Sequence, residues 1–542
     1  MRLVLVVLSL LFITERSFGQ LDYTISIGEK RIEGFPALQS YAFGTFSDEV
    51  LILGGRIDGL HKKQPWLSFH QDGRNDSLFV WDSYANTMVA VSLDGLSDLY
   101  REQLSASNHE FYQHGDMMCV VGGYGYSKKT DDKITFPAAL FFKISEVVGA
   151  VKKGSINDGL FVRVEDERFA VCGGQLEMMN GKYYLVGGHR FDGTYNPMGN
   201  PTYDQKYISG FHAFEWDGVK VKWGKSYFNE ELLHRRDFNL LPGVDSLGKE
   251  YLTVVSGVFQ KDMDLPYRTA IRITEDTVFT IPNFSQYFNH YHAAHAAFYN
   301  HGQVSHFFFG GIAAYFLDGG EMVQDSNAPF VKTVSAVVEE GESMSEWTLP
   351  YQMPGFLGSG ASFIPVTYLE HRGSGIVDVE SLCMRDSVLV GFVFGGISSS
   401  MANTFWPEEP SEAYNGIIEI YLKKKPGAYN FSSASSSPFI ADVFTNANMD
   451  EVHTRFNLTD VMPSDVRFYL TSEPWEFVSE KSSMSPSIAP REEILEGEGG
   501  DFGLLAGEHQ YVMKFDDQVK GNHYFKLIVN DVEVFSTKMV VE

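Results

Sequence analysis

Little in this sequence invites disulfide, nucleic-acid or membrane chemistry. Cysteine is scarce, with Cys119, Cys172 and Cys383 the only three in 542 residues. So few exclude a disulfide scaffold and leave at most one bridge. Cys119, within Met117-Met118-Cys119-Val120-Val121, and Cys383, beside Leu382 and Met384, read as buried free thiols. Basic charge is short as well: 43 Lys and Arg against 70 Asp and Glu leave a formal net charge of −27. That acidity argues against a phosphate-backbone partner, so no nucleic acid is expected. The apolar run near the N-terminus is too short to span a bilayer, and no later segment reaches the roughly eighteen uninterrupted apolar residues of a membrane span. Nucleophile-elbow, P-loop, dinucleotide and zinc-protease motifs are also missing.

What is present is aromatic and glycine-rich. The chain holds 43 Phe, 27 Tyr and 51 Gly, with 44% hydrophobic residues, which provides ample surface to bury and excludes a disordered chain. Met1-Arg2, the largely apolar residues 3–13 and Ser17-Phe18-Gly19 read as a secretory signal peptide over residues 1–19. The expectation is an exported protein with no transmembrane segment in its mature chain.

A short apolar run ending in a glycine pair recurs along the chain. The copies are Leu51-Ile52-Leu53-Gly54-Gly55, Cys119-Val120-Val121-Gly122-Gly123, Tyr184-Leu185-Val186-Gly187-Gly188, Thr253-Val254-Val255-Ser256-Gly257, Phe307-Phe308-Phe309-Gly310-Gly311 and Phe392-Val393-Phe394-Gly395-Gly396. Their second glycines stand 68, 65, 69, 54 and 85 residues apart. Each copy is preceded by another short apolar stretch, such as Phe238-Asn239-Leu240-Leu241, and followed beyond a variable loop by a third, such as Leu78-Phe79-Val80-Trp81. These are strands.

Four strands per unit, repeated six times, describe a β-propeller. The sequence resembles the kelch family, whose mark is this apolar strand ending in Gly-Gly. The resemblance implies an all-β fold: a six-bladed kelch-type β-propeller over residues 20–425. Ser256-Gly257 departs from the pattern. The alternating stretch Tyr23-Thr24-Ile25-Ser26-Ile27 is the candidate outer strand for the last unit, opposite residues 417–422, which closes the ring and removes an exposed edge.

Residues 426–438, with Ser432-Ser433-Ala434-Ser435-Ser436-Ser437-Pro438, read as a linker. Short strand patterns return over 439–542 and point to a small C-terminal β-sandwich. Met462-Pro463-Ser464-Asp465-Val466, Gly521-Asn522-His523-Tyr524-Phe525 and the closing Thr537-Lys538-Met539-Val540-Val541 resemble the C-terminal sorting domains of the Bacteroidetes type IX secretion pathway. That resemblance implies the secretion machinery as a partner; a plain accessory domain is the alternative.

Propeller geometry puts the start of each innermost strand and the loop after each glycine pair on one face, around the central channel. There the sequence gathers Arg56, His109, Tyr124, Arg168, His189, Arg190, His234, Arg235, Arg236, His292, His295 and Tyr315. Arginine pairs with carboxylates and aromatic rings stack on sugars, so the expected ligand is a glycan or a protein. Against this, polar side chains at such positions also tie neighbouring blades together. His290 and His292, two apart in a strand, would share a side and start a metal site; no carboxylate follows, and channel lining is the preferred reading. Galactose oxidases, extracellular kelch propellers, hold copper with Tyr and His ligands and a Tyr–Cys cross-link. Only Cys172 approaches the ligand face, so no cofactor is expected. Other secreted kelch propellers isomerise sialic acid without a metal. The leading expectation is therefore a binding protein, and the alternative a carbohydrate-active enzyme.

Overall fold

The computed structural model describes residues 23–32, 34–62, 64–196, 202–261, 263–318, 321–373, 375–382, 387–404 and 411–424, and six C-terminal strands. The expected signal peptide, the linker and Cys383 lie outside the described residues.

The fold is all-β, a β-propeller. Five blades are each built from strands consecutive within one antiparallel sheet. The first runs Ala42–Phe46, Glu49–Leu53, Ser77–Asp82 and Thr87–Ser92. The second runs Ser107–His114, Met117–Ser127, Ala138–Lys143 and Val162–Glu165. The third runs Gln175–Met179, Lys182–Val186, Gly210–Trp216 and Val221–Phe228. The fourth runs Asn239–Val244, Glu250–Val255, Ile271–Ile273 and Val278–Thr280. The fifth contains His295–Asn300, Gln303–Phe309, Thr333–Glu340 and Ser343–Gln352. A sixth sheet orders Ala361–Pro365, Val388–Gly395, Gly416–Lys424 and the N-terminal Tyr23–Arg31. The N-terminal strand pairs antiparallel from Tyr23 opposite Lys424 to Arg31 opposite Gly416, as its alternation led one to expect.

Burial follows position in the sheet. Second strands such as Glu49–Leu53 are covered on both faces, whereas the outer Thr87–Ser92 is mostly exposed. The reason is that neighbouring sheets pack face to face, which demands continuous apolar runs in the middle. Separate clusters fill the spaces between consecutive sheets: Leu51, Val80, Val120 and Leu140 between the first and second, Val121, Phe141, Leu185 and Phe214 between the second and third. Val186, Leu240 and Val254 join the third to the fourth, and Leu241, Phe308 and Val337 the fourth to the fifth. One larger cluster around Phe35, Trp81, Phe309 and Phe394 spans the fifth, sixth and first sheets. Trp81 is fully buried, its ring edge-on to Phe35 and Phe392. The helix Ile144–Lys152 turns Ile144, Val147, Val148 and Val151 onto the first sheet, where Gly44 leaves room for Ile144.

The glycine pairs stitch consecutive units. Both glycines adopt positive φ, and the first lies under a neighbouring chain: a Cβ on Gly122 would stand 2.0 Å from the Val171 carbonyl oxygen, and one on Gly310 2.1 Å from that of Leu357. The second glycine's N–H donates to the following unit, Gly55 to Ala106 O, Gly123 to Val171 O, Gly188 to Arg235 O and Gly311 to Leu357 O. Gly396 donates to Leu38 O, returning the chain of contacts to the first sheet. In the fourth unit Ser256 keeps the left-handed backbone, φ 62°, and its hydroxyl donates to Asn289 O at 2.7 Å instead. The departure in sequence thus preserves the contact.

A second set of contacts circles the channel entrance. Ser40, Asn108, Gly173, Asp237, His292 and Gly360 precede or open the innermost strands, and all have positive φ between 52° and 67°. Backbone N–H groups link them unit to unit: Asn108 to Ser40 O, Asp237 to Gly173 O, His292 to Asp237 O, Gly360 to His292 O and Ser40 to Gly360 O. The link from Gly173 to Asn108 is missing among the described residues; there the Glu110 carboxyl accepts from Gly174 N–H at 2.8 Å.

At the C-terminus, Ala441–Thr445, Glu451–Leu458 and Gly507–Lys514 form one sheet. Val466–Thr471, Gly521–Val529 and Val532–Val541 belong to another, whose last strand pairs in parallel with Glu321–Asp325 of the hairpin that follows the fifth glycine pair.

Candidate ligand-binding face

The innermost strands enclose a central channel of about 570 Å³. At its entrance stand Ser40, Asn108, Asp237 and His292, and further in Glu110 and Glu177. Burial pushes both glutamates up to about 8, with the charge of Asp237 adding to the effect on Glu110, because a carboxylate loses hydration in such a site. The Glu177 Oε2 and Asn108 Oδ1 atoms lack hydrogen-bond partners among the described residues. Two of the carboxyls lining the channel, Glu110 and Glu177, are thus held towards the neutral form beside Asp237, a feature the sequence reading did not include.

Of the expected histidines, His109, His292 and His295 line this channel. His109 is buried, its Nε2 2.8 Å from Gln103 O, and burial lowers it to about 4. Its ring is wedged against Gly54 and Gly123, so it packs two glycine pairs together. Burial and the neighbouring His306 lower His295 to about 3. His292 turns at φ 52° and brings Nε2 to 3.4 Å from Ser40 Oγ.

The pairing of His290 with His292 on one side of a strand does not form. The segment is a turn at this point, and His290 is fully buried against Phe308 with Nδ1 2.5 Å from Gly310 O. No cluster of three or more metal-ligating side chains occurs among the described residues.

Arg236 stands beside Asp237 where the third and fourth units meet. Its Nε lies 3.6 Å from Asp237 Oδ2 and has no hydrogen bond, and NH1 is 3.4 Å from His189 Nδ1. Phe259 and Tyr207 lie within 5.1 and 5.9 Å of the guanidinium. Burial and the Arg236 charge hold His189 well below its ordinary range, so its imidazole is neutral. His234 stacks on Tyr207 at 3.9 Å, and Tyr195 and Tyr203 continue the aromatic surface.

Arg56 and Tyr124 belong to a separate cleft of about 180 Å³ between the first and second units. Arg56 is bound by both Asp58 oxygens and by His70 O, and the Tyr124 hydroxyl donates to Gly193 O at 2.5 Å.

The remaining expected residues are engaged elsewhere. Arg235 is 1% exposed; it donates to Leu232 O, Ser256 O and Thr269 and lies over the Tyr267 ring. It ties strands rather than awaiting a ligand, because buried guanidinium groups need such partners. Arg168 pairs with Asp166 and stacks on Trp223 of the third sheet's outer strand. Arg190 pairs with Asp192 and Glu167. Tyr315 is 3% exposed, edge-on to Tyr287. The sequence therefore placed twelve residues on one face, and the structure divides them among the channel, the Arg236 platform, the peripheral cleft and inter-strand ties.

A β-propeller with a polar channel and a cationic, aromatic rim is the class that this fold and face define. No family model and no curated protein matches the chain. Among solved structures, one titled "Structure of YjhT" is similar over 73% of this chain and 99% of that one, with 10% identity and a TM-score of 0.41.

Proposed function

We propose that this protein is an exported, six-bladed kelch-type propeller that binds an acidic glycan at the channel mouth, where the third and fourth units meet. The observation that carries the reading is Arg236, next to Asp237 of the channel entrance: Tyr207, Phe259 and the neutral His189 imidazole surround its guanidinium, its side chain is 16% exposed, and its buried Nε has no hydrogen-bond partner among the described residues. A carboxylate-bearing sugar satisfies both halves of that surface, since the acid takes the fork of donors and the ring face stacks on Tyr207 or Phe259. The six-blade count is supported by the sheet that joins the N-terminal strand to residues 361–424 and by the hydrogen bond from Gly396 to Leu38.

An array of sialylated, uronic-acid and neutral glycans tests this. Native protein is expected to retain acidic glycans, and Arg236→Ala to lose them about tenfold or more, as for a charge-assisted hydrogen-bond pair. Equal retention by Arg236→Ala overturns the assignment. Arg235→Ala is unsuitable as a binding probe, because removing that side chain strands Ser256 and Thr269 acceptors inside the protein. A carbohydrate-active enzyme is the second reading, favoured by the Glu110 carboxyl held neutral near Asp237, an acid and a base side by side. Turnover of a retained glycan, followed by NMR, would establish it.

The C-terminal strands are proposed to form a β-sandwich that directs export, resembling type IX sorting domains. Removing residues 439–542 should leave the propeller inside the cell envelope; normal secretion of the truncated chain rejects this part of the reading.

A further inference from the structure

The cleft between the first and second units carries a different assignment from the channel mouth. Five cations line it, Arg56, Arg74, Arg101, Lys128 and Lys133, against two carboxylates, Asp76 and Glu102. The groups that neutralise Arg56 and Arg101, namely Asp58, Asp94 and Asp98, do not line the cavity. Asp131, close by, is occupied by the Tyr126 hydroxyl at 2.5 Å.

Lys133 is the decisive residue. Its ammonium donates to Ser68 O at 2.8 Å, and no carboxylate lies within 4.0 Å of it among the described residues. It is half-buried next to Arg56, and both the burial and that like charge lower its pKa. Asp58 already balances Arg56, and Asp132 acts on Lys133 only from beyond ion-pair distance, so the Lys133 ammonium is the charge that an anion in the cleft would pair. Arg56 cannot swing away, because Asp58 and the His70 carbonyl fix its guanidinium from behind. Phe69 and Tyr124 supply an apolar floor.

Size narrows the ligand. At about 180 Å³ the cleft is smaller than the roughly 300 Å³ or more of sites that enclose a whole small molecule. It fits a terminal group with part of what bears it. We propose that this cleft is a second binding site, for the sulfate or phosphate monoester group of a larger ligand, with Lys133 and Arg56 as its charged donors. Arg74, Arg101 and Lys128 rim the opening, Arg74 paired with Asp76, and Arg101 and Lys128 sharing Asp98, so Lys133 carries the unpaired charge.

Calorimetric titration of the full-length protein with inorganic sulfate, and separately with inorganic phosphate, tests the site at constant ionic strength balanced by chloride. Saturable binding of either anion is expected; which one binds more tightly tells a sulfated from a phosphorylated ligand. Lys133→Gln should weaken that binding about tenfold or more, and Lys133→Arg should retain it. Absence of saturable binding by both anions overturns the proposal, as does native-like affinity in Lys133→Gln. Should Lys133→Gln fail to fold, the exposed Lys128→Gln is the second variant, with a loss of about twofold expected and no loss counting against the site. The Lys133-dependent part of the anion binding should persist in Arg236→Gln, whereas loss of acidic-glycan retention alone belongs to the channel mouth, so the two readings fail separately.

Discussion

Glu110 owes its character to the fold alone. In sequence it is an acidic residue within Asn108-His109-Glu110-Phe111, with nothing to mark it. Folding places it at the gap in the ring of backbone links, 4% exposed, with Gly174 N–H as its donor. Its pKa rises from 4.5 to about 8. The folded state then binds a proton that the unfolded chain has released, so its contribution to stability declines as pH rises from about 4.5 to about 8. Glu110→Gln keeps an acceptor for Gly174 and cannot ionise. Urea unfolding should find the variant close to native at pH 5 and more stable at pH 8, by up to about 4 kcal/mol. A variant less stable than native at pH 8 would contradict the buried neutral acid. Asp237 and Lys133 escaped the sequence reading for a similar cause: strand-end charges are common on solvated surfaces, and only neighbours distant in sequence give these two their settings. A usable signal did exist for Asp237, since it occupies the same position before an innermost strand as Ser40, Asn108, Gly173, His292 and Gly360.

Among elements, the glycine-pair strand was the most legible, because its constraint is local and repeated. A left-handed backbone under a neighbouring carbonyl accepts no side chain, so the chain must write glycine wherever the contact recurs. Gly122→Ala should cost about 2–4 kcal/mol, combining the strained φ with the overlap on Val171 O. Ser256→Gly should cost only about 1 kcal/mol, the value of the hydrogen bond to Asn289 O. Thermal or urea unfolding of the two variants checks the ranking; equal losses would mean that the pair serves turn flexibility alone. The N-terminal strand was legible too, since its alternation needs a partner and the last unit lacked one. The His290 to His292 segment was not. Its residues suit a strand, but the requirement that each unit open with a left-handed residue turns the chain at His292 and sends the two imidazoles apart.

For the whole molecule, buried titratable groups combine into a pH profile. Glu110, Glu177 and Glu346 are each raised to about 8 by burial. His109 and His290 are lowered to about 4, and His295 to about 3. Between pH 6.5 and 8 only the glutamates act, and stability falls as pH rises. Between pH 4.5 and 6.5 the unfolded histidines, His189 included, have gained protons that the folded ones refuse, and these outnumber the three glutamates, so stability rises with pH there. Below pH 4.5 the unfolded glutamates protonate as well, leaving the histidines alone, and stability falls with acid. Maximum stability is expected near pH 6.5, read from urea midpoints across pH 4–8. A midpoint that climbs steadily to pH 8 would reject the profile.

The sequence by itself determined the all-β class, the repeated strand with its glycine pair and the return of the N-terminal strand to the last sheet. Each depends on contacts that every unit makes alike, so the same residues recur and reveal them. Only the tertiary structure decided which polar side chains face open space. It buried Arg235 as a tie, left Arg236 beside the channel, neutralised Glu110 and set Lys133 against Arg56. Those outcomes depend on hydration lost and on partners brought in from elsewhere in the chain, from Ser256 for Arg235 to Gly174 for Glu110, and such partners leave no mark on the neighbouring sequence.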